Sequence, residues 1–139
     1  MREFSLLVFL PEASSTPYRE LGYEEAAEVV SGCSVTLACF VCGRELPVRQ
    51  LYTITSILRR YLVPLCSEDA DRAITKLGDW CSPLDVVVRE ALRRYDRPFV
   101  QQPGFHRPIV HTFKGFPIAD TAAAVKLLRL RFALEPSND

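Results

Sequence analysis

Four side chains in this sequence have the types and spacing of a metal site: Cys39, Cys42, Cys66 and Asp69. Cys39-Phe40-Val41-Cys42 is a C-x-x-C knuckle closed by Gly43, and two thiolates at this spacing aim at one point from a tight turn. That is half of a tetrahedral zinc site. Cys66-Ser67-Glu68-Asp69 stands where a second pair would complete it, with aspartate in the last position. Three sulfurs and one carboxylate oxygen are acceptable to zinc, although four sulfurs are more usual. His106 and His111 are the reserve candidates for the fourth ligand. Cys33 and Cys81 read as small buried hydrophobes rather than ligands, and Trp80 as a packing residue.

Other chemistry is poorly supported. A thiol oxidoreductase places its C-x-x-C at the start of a helix, whose N-terminus lowers the thiol pKa, whereas here the nearest helix start is expected at Pro47, beyond the knuckle. No Ser-His-Asp set, catalytic carboxylate pair or glycine-rich phosphate loop can be drawn from these residues, so no enzymatic activity is expected. Nucleic-acid binding would call for a basic stripe interleaved with aromatics. The formal net charge is instead zero, and residues 1–81 hold eight of the 17 Lys and Arg but 11 of the 17 Asp and Glu. The more cationic C-terminal part keeps a zinc-ribbon-like nucleic-acid-binding or transcription-regulating protein as the alternative. Five cysteines and no convincing leader fit a reducing compartment better than a disulfide framework. No apolar run approaches the length of a membrane span.

The hydrophobic fraction of 48% against 24% charged residues describes a globular chain of 139 residues. Phe4–Leu10 is a strand or a short helix ending at Pro11. Thr16-Pro17 predicts a helix start and a helix from about Tyr18 to Val30, with Gly32 as its stop. Val35 and Leu37 share one face of a strand that leads into the knuckle. Pro47 predicts a second helix, since Val48, Leu51, Ile54 and Leu58 recur at helical spacing. Tyr61–Leu65 is a short strand delivering Cys66, and Ser67 caps a helix with an apolar stripe of Ala70, Ala73, Ile74 and Leu77, reaching Trp80. Ser82-Pro83-Leu84-Asp85 opens the best-marked helix, running to Tyr95. Beyond it, residues 96–108 read as loop, Ile109–Phe113 as a strand and Lys114-Gly115 as a turn. Asp120 caps a possible helix from Ala122 to Lys126, but the alternation of Leu128, Leu130, Phe132 and Leu134 favours a strand over 127–134. Residues 136–139 are a tail.

This order of parts resembles the papillomavirus early protein six family, over Leu21 to Trp80. The shared features are an apolar strand into the knuckle, Leu46 four residues after its second cysteine, the segment Gln50-Leu51-Tyr52-Thr53-Ile54, and Cys66 opening a helix. Cys81 and the pieces Phe105-His106 and His111-Thr112-Phe113-Lys114-Gly115 are weaker echoes. The second cysteine set of that family is missing here, and so is a PDZ-binding C-terminal motif. The resemblance implies an α+β protein of two small zinc-finger-like lobes joined by a helix: residues 1–81 with one zinc, a connecting helix at 82–95, and a metal-free lobe with its tail at 96–139. It further implies a viral oncoprotein-like adaptor of the host nucleus and cytoplasm. Such an adaptor captures an L-x-x-L-L type amphipathic helix of a host protein, such as a ubiquitin ligase or a transcriptional coactivator, and redirects it. Carried over by position, Phe40, Val41, Val63, Ala70 and Ile74 would line the peptide groove. Arg93, Arg94, Arg129 and Arg131 are rim candidates on charge alone.

Overall fold

A computed structural model describes residues 4–32, 34–55, 61–96, 112–113, 116–117 and 121–134. Its centre is the strand β1 (Leu6–Phe9), whose four apolar side chains are all buried. An unbroken apolar run suits a strand covered on both faces. Alternation sends Leu6 and Val8 into one core and Leu7 and Phe9 into another. The neighbour β2 (Tyr18–Leu21) pairs antiparallel with β1, from Leu6 opposite Leu21 to Phe9 opposite Tyr18. The helix α1 (Tyr23–Ser31) follows Gly22 and ends at Gly32 with φ of 90°, the left-handed conformation of a helix C-cap. Expectation and structure differ here: Thr16-Pro17 starts no helix, because Tyr18–Leu21 completes the hairpin with β1 and the Leu10 N–H donates to the Pro17 carbonyl at 2.9 Å.

The strands β3 (Thr36–Ala38) and β4 (Glu45–Pro47) form an antiparallel hairpin around the knuckle. The helix expected from Pro47 is absent. In its place stand a 3-10 turn at Val48–Gln50 and β5 (Tyr52–Ile54), while Leu58 lies outside the described residues. The apolar spacing that suggested a helix is met by sending Val48 and Leu51 to one core and Ile54 to the other. The expected strand at Tyr61–Leu65 is present in two pieces that serve different sheets. β6 (Tyr61–Leu62) pairs parallel with β1, and β7 (Pro64–Leu65) pairs antiparallel with β5.

Between these pieces the buried Thr53 hydroxyl accepts a hydrogen bond from the Val63 N–H at 2.8 Å. Thr53→Val keeps the shape but orphans that donor, so it is expected to lower stability by about 1–3 kcal/mol. Urea unfolding should show a lower midpoint with an unchanged slope.

Cys66 is the N-cap residue of α2 (Ser67–Thr75), which places Ser67 one position inside the helix rather than at its cap. This helix stops short of Trp80. Its stripe is only partly inward: Ala70, Ala73 and Leu77 are buried, whereas Ile74 is 48% exposed. Trp80 is 76% exposed, not packed, because Asp79 turns inward beside it and β8 (Cys81–Pro83) begins at once on the other edge of β5. The helix expected at Ser82 is α3 (Leu84–Asp96). Leu84, Val88 and Leu92, four residues apart, lay one buried stripe into the core that also holds Ala26 and Val29 of α1. β9 (Thr112–Phe113) and β10 (Phe116–Pro117) form an antiparallel pair that brackets the expected Lys114-Gly115 turn. The turn itself, Ile109–His111 and the expected tail lie outside the described residues.

The last element is α4 (Thr121–Leu134), so the strand expected at 127–134 is a helix. The sequence there satisfies both periods. The helical choice buries Ala124, Leu128 and Phe132 on one face beside Val125 and leaves Leu130 49% exposed. The protein is therefore α+β, but it is not two zinc-finger-like lobes strung on a helix. The β1 sheet is a wall between two cores: one packs α1 and α3, the other packs the knuckle, α2 and α4. α3 packs against α1, and α4 returns to the same core as Leu7. Among the described residues no helix is long and apolar enough to cross a membrane.

Candidate metal centre

The β3–β4 hairpin folds the knuckle through two main-chain bonds, Cys39 N–H to the Arg44 carbonyl and Gly43 N–H to the Cys39 carbonyl, each 2.9 Å. Gly43 has φ of 78°, which a side chain rarely adopts, although a Cβ there would come only within 4.0 Å of Pro11. A third bond, from the Phe40 N–H to the Pro64 carbonyl at 2.7 Å, ties the knuckle to the strand β7 that leads into Cys66. Asp69 follows in the first turn of α2. In this way a hairpin turn and a helix start, far apart in sequence, face each other.

The ligand atoms of Cys39, Cys42, Cys66 and Asp69 lie within 4.8 Å of one another. Asp69 Oδ2 is 3.3 Å from Cys39 Sγ and 3.1 Å from Cys66 Sγ. A tetrahedral zinc with bonds of about 2.3 Å to sulfur needs sulfur–sulfur edges of about 3.8 Å, so this donor set fits a single ion with small side-chain adjustments. All four donors come from the protein, which fills a tetrahedral shell and leaves no position for substrate or water. Such a site is structural in type. Cys39 and Cys66 are buried, Asp69 half-buried and Cys42 exposed, so the centre sits at the surface with its sulfurs graded from core to solvent.

The surroundings act on the three sulfurs in opposite directions, raising the two buried thiols and lowering the exposed one. Burial pushes the Cys39 thiol up to about 12, against the pull of backbone N–H groups at Cys42, Cys66 and Val41 that face its sulfur. The Cys66 N–H donates to Cys39 Sγ at 3.4 Å. Burial likewise raises Cys66, with the Asp69 N–H opposing. At Cys42 the slight burial also acts upward, but it is outweighed by the Arg44 N–H, the neighbouring sulfurs and the Arg44 side chain, and the net shift is downward. The exposed Arg44 guanidinium is held above its ordinary value by the Cys42 and Cys66 sulfurs. Three thiolates and a carboxylate around a divalent ion would leave an excess negative charge, which this cation would partly offset. Arg44 was not singled out from sequence; its position two residues after the second cysteine is the only signal that could have found it.

The other site candidates divide. Phe40, Val63 and Ala70 meet in one core, with Val41 at its edge. Ile74 stands apart at the surface. Arg93 and Arg94 are also apart, both paired with Glu90, whose carboxyl they hold down at about 2, chiefly through the Arg93 hydrogen bond. Arg129 and Arg131 bond main-chain carbonyls of Leu10 and Leu77, and Arg131 also reaches Asp79. Cys81 packs against the core, outside the cluster, as a small hydrophobe would. Cys33, His106 and His111 lie outside the described residues.

Fold and centre together define an α+β protein with, among the described residues, one Cys3Asp cluster able to coordinate a metal ion. No family model matches the chain, and neither does any curated protein or solved structure. The family resemblance accordingly rests on the motifs between Leu21 and Trp80.

Proposed function

We propose that this chain is a non-catalytic adaptor in which a zinc ion on Cys39, Cys42, Cys66 and Asp69 holds the knuckle against α2, and the apolar surface beside the knuckle captures a leucine-rich amphipathic helix. The observation that carries this reading is Phe40. It sits one residue from a metal ligand, and in this structure it receives a helix: α4 lays Phe132 against it with ring centroids 6.2 Å apart. A surface that seats one apolar helix next to a rigid centre has the chemistry of helix-in-groove recognition. The motif resemblance points the same way, to an L-x-x-L-L type segment of a host protein, a ubiquitin ligase or a coactivator among them. Two or three buried leucines would contribute roughly 1.5–3 kcal/mol each before ordering costs, enough for micromolar affinity.

The test has two parts. Protein purified without chelator should carry about one zinc per chain, as its four protein ligands require. Titration at physiological salt should show binding of L-x-x-L-L helical peptides and none of single- or double-stranded nucleic acid. Tight nucleic-acid binding without peptide binding would sink the adaptor reading in favour of the nucleic-acid one.

A further inference from the structure

We propose that α4 occupies its own chain's helix-receptor surface, and that a partner helix with apolar residues at i, i+3 and i+4 binds by replacing it. This rests on the adaptor reading and names the regulation of that same surface. The first observation is the character of the contact. α4 is fastened by aromatic and arginine side chains, the residues enriched at interfaces between separate proteins. Phe132 lies on Phe40 and under the Arg72 guanidinium, 5.6 Å from its ring centre, and Arg129 lies over the Phe40 ring at the same distance. Arg72 donates to the Phe132 carbonyl, Arg129 to the Leu10 carbonyl at 2.9 Å, and Arg131 to the Leu77 carbonyl. Carbonyl acceptors in a receptor do not depend on which side chains the incoming helix brings, so another helix bearing arginines could use them.

The second observation is an open flank beside the buried face of Ala124, Val125, Leu128 and Phe132. Along the flank of α4 a cleft of about 360 Å³ remains against the loop after β1, between Glu12 and Pro17 on one side and Val125, Arg129 and Ala133 on the other. The third is the pattern of α4 itself. Ala124, Leu127 and Leu128 stand at i, i+3 and i+4, the spacing of an L-x-x-L-L helix with alanine in its first place, and Ala124 and Leu128 are buried. A small first residue weakens the internal ligand relative to one that brings leucine there. α4 would then be a moderate competitor, and the apparent affinity of a partner falls by the fraction of chains in which the seat is free.

The experiment uses the full chain, wild type and Phe132→Asp. Two labelled probes are titrated into each: a peptide of residues 121–134 and an L-x-x-L-L helical peptide, with hydrogen exchange of the α4 amides followed in parallel. The expected result is at least tenfold tighter binding of both probes to Phe132→Asp, together with faster α4 exchange, and faster α4 exchange in the wild type when the L-x-x-L-L peptide is added. If Phe132→Asp loses its metal or its far-ultraviolet dichroism, Arg129→Glu takes its place, since it removes the Leu10 bond and the contact with Phe40. Equal binding of the L-x-x-L-L peptide to wild type and variant would overturn the α4 seat and leave the adaptor reading standing. Binding of the 121–134 peptide alone would support the seat and overturn the L-x-x-L-L reading. A folded variant that binds neither probe would overturn both.

Discussion

Cys39→Ser is expected to release the metal and to lower stability by several kcal/mol. Cys39 is fully buried, its sulfur lies near Asp69, and the Cys66 N–H is directed at it. A serine oxygen is a poor zinc ligand at neutral pH, reaches less far than sulfur, and would leave Cys42, Cys66 and Asp69 as an incomplete shell. Structural zinc in isolated finger peptides is worth roughly 10–16 kcal/mol of apparent binding free energy. Here two apolar cores remain after the metal is gone, so the expected net loss is a fraction of that figure. Metal analysis and thermal unfolding read it directly, with Cys81→Ser as control, because Cys81 lies outside the cluster and should leave the metal in place. Full metal content and an unchanged melt in Cys39→Ser would remove the centre from this account. Phe40, the neighbour of Cys39, is part of the α4 seat, so metal loss should also loosen α4, visible as faster exchange of its amides.

Acidification is expected to weaken metal binding by at least about a hundredfold for each pH unit below neutrality, from the thiol protons that Cys39 and Cys66 lose on binding. Without metal, burial lifts Cys39 from 9.0 to about 12 and raises Cys66 as well, so both enter the reaction as thiols and each must lose a proton to bind. Affinity therefore rises with pH across the whole physiological range. The metal-free fold has the opposite sign: a raised Cys39 contributes stability that is complete below pH 9.0 and is lost as the pH climbs toward about 12. Competition against a chelator at several pH values measures the slope, and proton release on zinc addition should be at least about two per ion. A flat profile would mean that these sulfurs are not the ligands.

The candidate centre was legible in the sequence because its chemistry is carried by rare residue types at short spacing. A C-x-x-C turn aims two sulfurs at one point whatever surrounds it, and Cys66 and Asp69 share the first turn of one helix. The elements with a single reading, such as the strand into the knuckle and the helix running to Tyr95, were legible too. The misread ones are those whose pattern serves two periods. Val48, Leu51 and Ile54 fit a helical face, yet the structure assigns them to two different cores. Leu128, Leu130 and Phe132 alternate like a strand, yet α4 buries the first and third and leaves the second at the surface.

The sequence by itself determined the ligand set and the apolar runs; only the tertiary structure decided what lies on either side of β1. Leu6 to Phe9 is simply apolar as text, and pairing with β2 and β6 turns it into a wall with a core on each face. The same holds for Phe40. Its place between two cysteines was plain, but its burial under Phe132 depends on a helix far down the chain, and no local pattern records a contact between residues so distant. Local propensity is set by neighbours in sequence, whereas burial is set by neighbours in space.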